Sequence, residues 1–323
     1  MIKNARKPIL RANVPYISRW RVKHSSTCSN KTLTHPVEES SKVLRHLEFI
    51  KPLEFQKGLQ IQEKFVRAQL DMKALESKIK RKLGLLELET NGAPINEHEQ
   101  KILDTIMDMK PNPIVLTFEF EPTYTGGKRS KKAVSDEDIL NFENFRPKDQ
   151  VKNKSPKFVQ AERGGQVTFH GPGQVVAYIV MDLKSFHSFP AKCLVSAIEG
   201  STIDTLKSAP QGKHKTPLNL QAIRTEETGV WIDEENKIAS IGVHVRRSIT
   251  SHGVSINVNP DLSYMNSFTM CGLPETRATS VLEQIPDTTC STHDIAVTFV
   301  NKLAKKLGIT TVERIQLDDI DID

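Results

Sequence analysis

Residues 163–174 constrain this chain more than any other stretch: Arg163-Gly164-Gly165-Gln166-Val167-Thr168-Phe169-His170-Gly171-Pro172-Gly173-Gln174. Four glycines, an arginine and a histidine share twelve positions, directly before an apolar run from Val175 to Met181 that reads as a buried strand. Glycines beside hydrogen-bonding side chains mark a loop whose backbone approaches a ligand closely. The same Gly-Pro-Gly is also a turn signal between two strands, with Arg163 and His170 on its surface. Only the rest of the chain separates these readings.

With 323 residues, 37% hydrophobic and 26% charged, the chain has room for one large domain or two small ones. No stretch nears the roughly 18 consecutive apolar residues of a membrane-spanning helix. The net charge of +6 invites a nucleic-acid reading, but eight Lys or Arg and no acid lie before Glu38. Removing those eight leaves −2 for the remainder, so the body is not basic. Residues 1–37 are Arg-rich, acid-free and end in hydroxyl residues, the composition of a mitochondrial transit peptide; a disordered basic tail is the alternative. Cys28, Cys193, Cys271 and Cys290 are widely spaced without a CxxC pair. Neither a disulfide framework nor a metal site is expected, and a reducing matrix fits free thiols.

Residues 38–110 read as a helical extension packing on the domain, with helical spacing around Leu59, Phe65 and Leu70 and a second helix from Glu97 to Met109. The domain proper is expected over 111–323. Its first strand is Pro113–Phe120, followed by a loop at 122–127 and polar insertions near 128–156 and 208–219. A helix from Pro190 to about Leu206 precedes a hairpin with arms at 229–233 and 237–245. A strand from Gly253 to Val258 comes next, then a helix opened by a capping-box pattern at Ser291–Asp294 and closed by Gly308. Strands, hairpins and helices in this order argue for an α/β (α+β) domain, a mixed sheet flanked by helices.

Cys271 lies between loop-forming residues in Met270-Cys271-Gly272-Leu273-Pro274, a better setting for reaction than a helix face. Cys193 and Cys290 read as small apolar fillers. A nucleophilic cysteine needs a neighbouring cation or base. His170, His244 and His252 qualify, as does Lys237, although a lysine opening a hairpin strand also reads as simply solvated.

Together these residues resemble the lipoyl (octanoyl) transferases, which move octanoate from acyl carrier protein to a lysine of lipoate-dependent enzymes. The matching blocks are Arg163–Gln174, Lys237-Ile-Ala-Ser-Ile-Gly242, His252-Gly-Val-Ser-Ile-Asn-Val-Asn259 and Cys271-Gly272, in the family's order. The likeness covers about 110–305 well. It implies Cys271 as acyl-thioester nucleophile and Lys237 as its partner. It further implies acyl-substrate contacts from Arg163, Gly164, Gly165, Gln166, Val167, Thr168, Phe169 and His170, from Ser240, Ile241 and Gly242, and from Gly253, Val254 and Ser255. The implied fold is that of the lipoate- and biotin-protein ligase catalytic domain. The implied donor is octanoyl-acyl carrier protein. The implied acceptors are lipoyl-domain proteins such as the glycine cleavage H protein and 2-oxoacid dehydrogenase E2 subunits, in the mitochondrial matrix and without a cofactor. The chain departs from the family in its long N-terminal helical region, its polar insertions and Glu121.

Thioester exchange onto Cys271 followed by aminolysis needs no ATP, and no Walker-type loop is present. Backbone N–H groups of the Gly-rich and Cys271 loops are expected at the oxyanion. Two rivals stand beside this reading. An ATP-dependent lipoate- or biotin-protein ligase on the same fold would use a lysine to hold an acyl-adenylate. An RNA- or carrier-binding matrix protein would carry a vestigial pocket, against which the non-basic body and the presence of both Lys237 and Cys271 weigh.

Overall fold

A computed structural model describes residues 34–89, 96–147, 155–268 and 275–318. In chain order the elements are β1 (Val43–Phe49), α1 (Phe55–Glu89), α2 (Glu97–Asp108), β2 (Ile114–Phe118), β3 (Thr123–Gly126), α3 (Asp136–Asn144), β4 (Lys157–Gln160), β5 (Thr168–His170) and β6 (Gln174–Val180). There follow α4 (Ala191–Ser208), β7 (Pro210–Gln211), β8 (Thr216–Pro217), β9 (Val230–Trp231), β10 (Asn236–Arg246), β11 (Ile249–Asn257), β12 (Arg277–Ala278), α5 (Val281–Gln284), α6 (Thr292–Lys306) and β13 (Thr311–Leu317).

An eight-stranded mixed sheet runs β12-β10-β11-β6-β2-β1-β13, with β9 also on β10. Its middle is antiparallel and its β2-β1-β13 end parallel. A small sheet, β4-β3-β5, stands beside it. Alternation along β6 sorts the two faces of the main sheet. Val175, Ala177 and Ile179 join the core under α4 and α6, with Leu194, Ile198, Phe299 and Leu303. Val176 and Tyr178 face the other way, among Phe118, Phe120, Phe55 and Ile61. Each large apolar side chain buried here contributes about 2 kcal/mol.

That second face is covered by the first half of α1. Its buried positions are Phe55, Gly58, Ile61, Gln62, Val66 and Gln69, one stripe at helical spacing, and no later residue of the helix is buried. α6 begins as its sequence indicates: Ser291 and Asp294 form a reciprocal capping box, and Gly308, at φ +69°, follows the last turn.

The mixed α/β architecture agrees with the sequence-based expectation; several local features do not. The segment expected as helical also supplies β1, a strand inside the main sheet. Residues 123–126, expected as loop, form β3, where Tyr124 is fully buried against Phe169. The polar interval 128–156 contains α3, and 208–219 contains the β7–β8 pair. Of the two described cysteines, Cys290 is free and buried.

Candidate active site

The face of the main sheet away from α4 and α6 carries a cleft. Its floor follows from strand register: Gly253 pairs with Tyr178 and with Gly242, and Ser255 pairs with Val176 and with Ser240. All six therefore share one face. Residues 165–168 roof the floor, Phe55 closes one side, and Lys237 and Thr228 also line the space. Together with the open solvent at its mouth, the empty space is about 700 Å³.

Glycine at 242 and 253 is required by close approach. A Cβ on Gly253 would lie 2.2 Å from the Ala177 carbonyl oxygen, and one on Gly242 would lie 2.9 Å from that of Gly164. The roof is fastened by its own backbone. Gly164 N–H donates to Val243 O (3.2 Å), Lys128 N–H to Arg163 O (2.9 Å) and Arg129 N–H to Gly165 O (3.1 Å). Arg163 works for the loop. Its Nη2 donates to Thr125 O and Oγ1, both at 2.7 Å, and its Nη1 to Gln166 O at 2.9 Å. A guanidinium fork suits this bracing role, several carbonyls being held at once.

His170 is buried and stacks on Phe55, ring centroids 5.3 Å apart and 8° from coplanar. Its Nδ1 meets Gln174 Oε1 at 2.7 Å, Gln174 Nε2 donates to Asn257 Oδ1 (2.8 Å), and Asn257 Nδ2 donates to Thr279 O (2.8 Å). Thr279 N–H in turn donates to Lys237 O (2.9 Å), so one hydrogen-bonded chain ties the roof to the strand of Lys237. Burial, helped by the Arg163 charge, pushes the His170 pKa down to about 3, so the ring is neutral at ordinary pH.

Lys237 reaches the cleft through an irregularity. β9 pairs Trp231 with Lys237 but Val230 with Ala239, one extra residue on β10, and Ile238 and Ala239 both enter the core. Strict alternation would have set Lys237 on the face opposite Ser240 and Gly242. Its side chain is 3% exposed, its Nζ donates to Thr228 O at 3.0 Å, and it lies 4.8 Å from the centre of the Trp231 ring. Behind it, burial raises the Glu199 carboxyl, with Arg224 and Lys237 pulling the other way.

Among the described residues, the Tyr178 hydroxyl and His252 Nδ1 of the cleft have no hydrogen-bond partner. Burial keeps Tyr178 protonated and pushes His252 down to about 3, with the Arg163 charge acting in the same direction. Both groups therefore meet a ligand uncharged.

Of the residues expected at an acyl site, Lys237, Arg163, Gly165, Gln166, Val167, Thr168, His170, Ser240, Ile241, Gly242, Gly253, Val254 and Ser255 line this one cleft. Gly164 serves it through its backbone only, and its N–H, engaged with Val243, is not free for an oxyanion. Phe169 does not line the cleft: it stacks on Tyr264 at 4.5 Å, in a separate aromatic cluster. His244 sits at the rim, 3.1 Å from Lys128. Cys271 lies outside the described residues. The chain on either side of its segment is held together, Asn266 Oδ1 accepting from Ala278 N–H at 2.8 Å, and Ala278 pairs with Lys237. Sequence reasoning did not single out Phe55, Tyr178 or Arg129, which also line the cleft. An aromatic at a helix start, one inside an apolar strand and a cation in a charged run carry no local signal.

A family model described as the lipoyl protein ligase A/B catalytic domain matches residues 96–304. The chain is 61% identical over 307 residues to a mitochondrial octanoyltransferase of Kluyveromyces lactis, covering 94% of this chain and 92% of that one. It is 58% identical over 295 residues to a mitochondrial octanoyltransferase of Saccharomyces cerevisiae, covering 90% of each. Among solved structures, P. falciparum LipL1 in complex with lipoate aligns with a TM-score of 0.50 at 13% identity, over 84% of this chain and 66% of that one, a likeness of fold alone.

Proposed function

This chain belongs to the mitochondrial octanoyltransferases of the lipoyl protein ligase A/B catalytic-domain family, and on that premise we propose that its octanoyl group passes through a thioester on Cys271, with Lys237 as proton partner. The chain is an acyltransferase that carries octanoyl groups in mitochondria. The donor in this reading is octanoyl-acyl carrier protein. The acceptors are lysines of lipoyl-domain proteins, the glycine cleavage H protein and 2-oxoacid dehydrogenase E2 subunits among them. Residues 1–37 are its import leader, and the catalytic domain takes in 111–323 together with β1 and the first half of α1.

In the first half-reaction the Cys271 thiolate adds to the octanoyl carbonyl. The bond to the carrier sulfur breaks, and the departing thiolate takes up the proton that Cys271 gave to Lys237. In the second, the acceptor amine adds to the same carbonyl, the bond to Cys271 breaks, and the amine's proton returns by way of Lys237 to the cysteine sulfur. The ammonium that Lys237 becomes on taking that proton favours the thiolate, which is the attacking species. One thioester replaces another at little net free energy, and amide formation is downhill, so no nucleotide is required.

The observation that carries this reading is the convergence of Lys237 with the roof loop and both glycine-bearing strands on one cleft. The test is incubation of the purified chain with octanoyl-carrier protein and a lipoyl domain, without ATP, followed by mass spectrometry. The expected result is octanoylated acceptor and a trapped octanoyl adduct on Cys271. Full activity of Cys271→Ser, or a need for ATP, would overturn it.

A further inference from the structure

His252 lies inside β11 with φ at +59°, in the left-handed region, where a non-glycine side chain is strained. By alternation it belongs with Val254 and Ile256 in the helix-covered core. The reversed backbone sends its ring to the cleft instead, edge-on to Tyr178 with centroids 5.4 Å apart. The flip interrupts the ladder to β6. Register pairs stop at Gly253 and Tyr178 and resume at the bridge between Asp182 and Ile249. On the β6 side of this gap the Thr250 hydroxyl donates to Ile179 O at 2.7 Å. On the β11 side the stranded His252 N–H donates to Gln62 Oε1 at 2.5 Å.

Gln62 is 4% exposed, on the buried stripe of α1, outside the 96–304 segment matched by the family model. A buried backbone N–H requires an acceptor, and the sheet offers His252 none in this conformation. We infer that Gln62 is a positioning residue for octanoyl transfer: its side-chain carbonyl holds the left-handed turn that presents the His252 imidazole to the cleft.

This rests on the acyl-transfer reading of the cleft and deepens it. With His252 Nδ1 and the Tyr178 hydroxyl both unpartnered among the described residues, the cleft offers two sites to a hydrogen-bonding group of the acyl donor, which an alkyl chain alone would leave unpaired. α1 thereby becomes part of the site's machinery rather than an appendage.

The experiment compares the full chain with Gln62→Met (similar length, no acceptor), Gln62→Glu (oxygen retained), His252→Gly (ring removed, φ tolerated) and the Gln62→Met/His252→Gly double variant. Steady-state kinetics on octanoyl-carrier protein should show kcat/KM down about tenfold in Gln62→Met, the equivalent of one hydrogen bond. Gln62→Glu should restore most of that loss, and the double variant should be no slower than His252→Gly alone. Hydrogen exchange across Ile249–Asn257 should speed up in Gln62→Met. Additive losses in the double variant, wild-type kinetics in Gln62→Met, or unchanged exchange would overturn the inference. The exchange measurement needs no turnover, so it judges Gln62 even where the octanoyl reading fails.

Discussion

Mild acid should destabilise this protein through three histidines held neutral in its interior. His46, His170 and His252 are 1%, 5% and 4% exposed, and burial lowers them from 6.5 to about 4, about 3 and about 3 respectively. The unfolded chain binds their protons near pH 6.5, whereas the folded chain does not until pH 3–4. Stability is therefore fully present above pH 6.5 and is lost as pH falls below it. Between pH 7.5 and pH 5 each residue removes about 2 kcal/mol, and the three together about 6 kcal/mol. A domain of ordinary stability has about 5–15 kcal/mol to lose, so pH 5 brings it near the edge. Glu199 acts in the opposite sense, since burial raises its carboxyl and acid relieves it. Urea unfolding followed by the fluorescence of Trp231, 1% exposed, gives the free energy at each pH. His46→Gln keeps a nitrogen for Thr117, which the ring meets at 2.9 Å, but cannot titrate; it should shrink the acid loss by about 2 kcal/mol. A total loss under about 2 kcal/mol, or an acid response that His46→Gln leaves untouched, would refute the reasoning.

Lys237→Met should slow single-turnover acylation of the enzyme by about 10²–10⁴-fold, the range for a lost proton-transfer group, with the fold intact by circular dichroism. Gly229→Ala should lower kcat more than it raises KM, because φ is +141° there and a Cβ would lie 2.5 Å from Lys237 Cε; steady-state kinetics decide it. Phe55→Ala removes a ring that is 2% exposed and stacked on His170, and should cost about 3–5 kcal/mol in chemical denaturation. Arg163→Lys should raise KM for the octanoyl donor, since a single ammonium cannot hold Thr125 and Gln166 together; a KM like the wild type's would show that the roof needs no such brace.

The regular parts of the molecule were legible because they obey simple periods and caps. The β9–β10 hairpin, α4 and the boxed start of α6 all stand close to their sequence positions. β1 escaped because Arg45, His46 and Glu48 interrupt its apolar pattern. His46 and Glu48 are satisfied from far along the chain, by Thr117 in one case and by His293 and Gln316 in the other. No local window contains those partners. β3 escaped because the burial of Tyr124 depends on Phe169 and Tyr264. The site divides in the same way. Its glycines announced themselves, but Lys237 and His252 reach the cleft by a bulge and a reversed φ, both departures from the period on which strand reading depends.

α1 is continuous for 35 residues, about 52 Å. Its last buried residue is Gln69, and Lys73, paired with Asp182, ties it to the turn after β6. Beyond that the helix runs on for about 24 Å, with Leu75, Leu85, Leu86 and Leu88 exposed. A hydrogen-bonded helix transmits rotation and axial shift along its length instead of absorbing them. Whatever grips the outer end therefore holds a handle whose other end is Gln62 and Phe55. That inner end touches the site twice, through Gln62 on the backbone of His252 and through Phe55 stacked on His170.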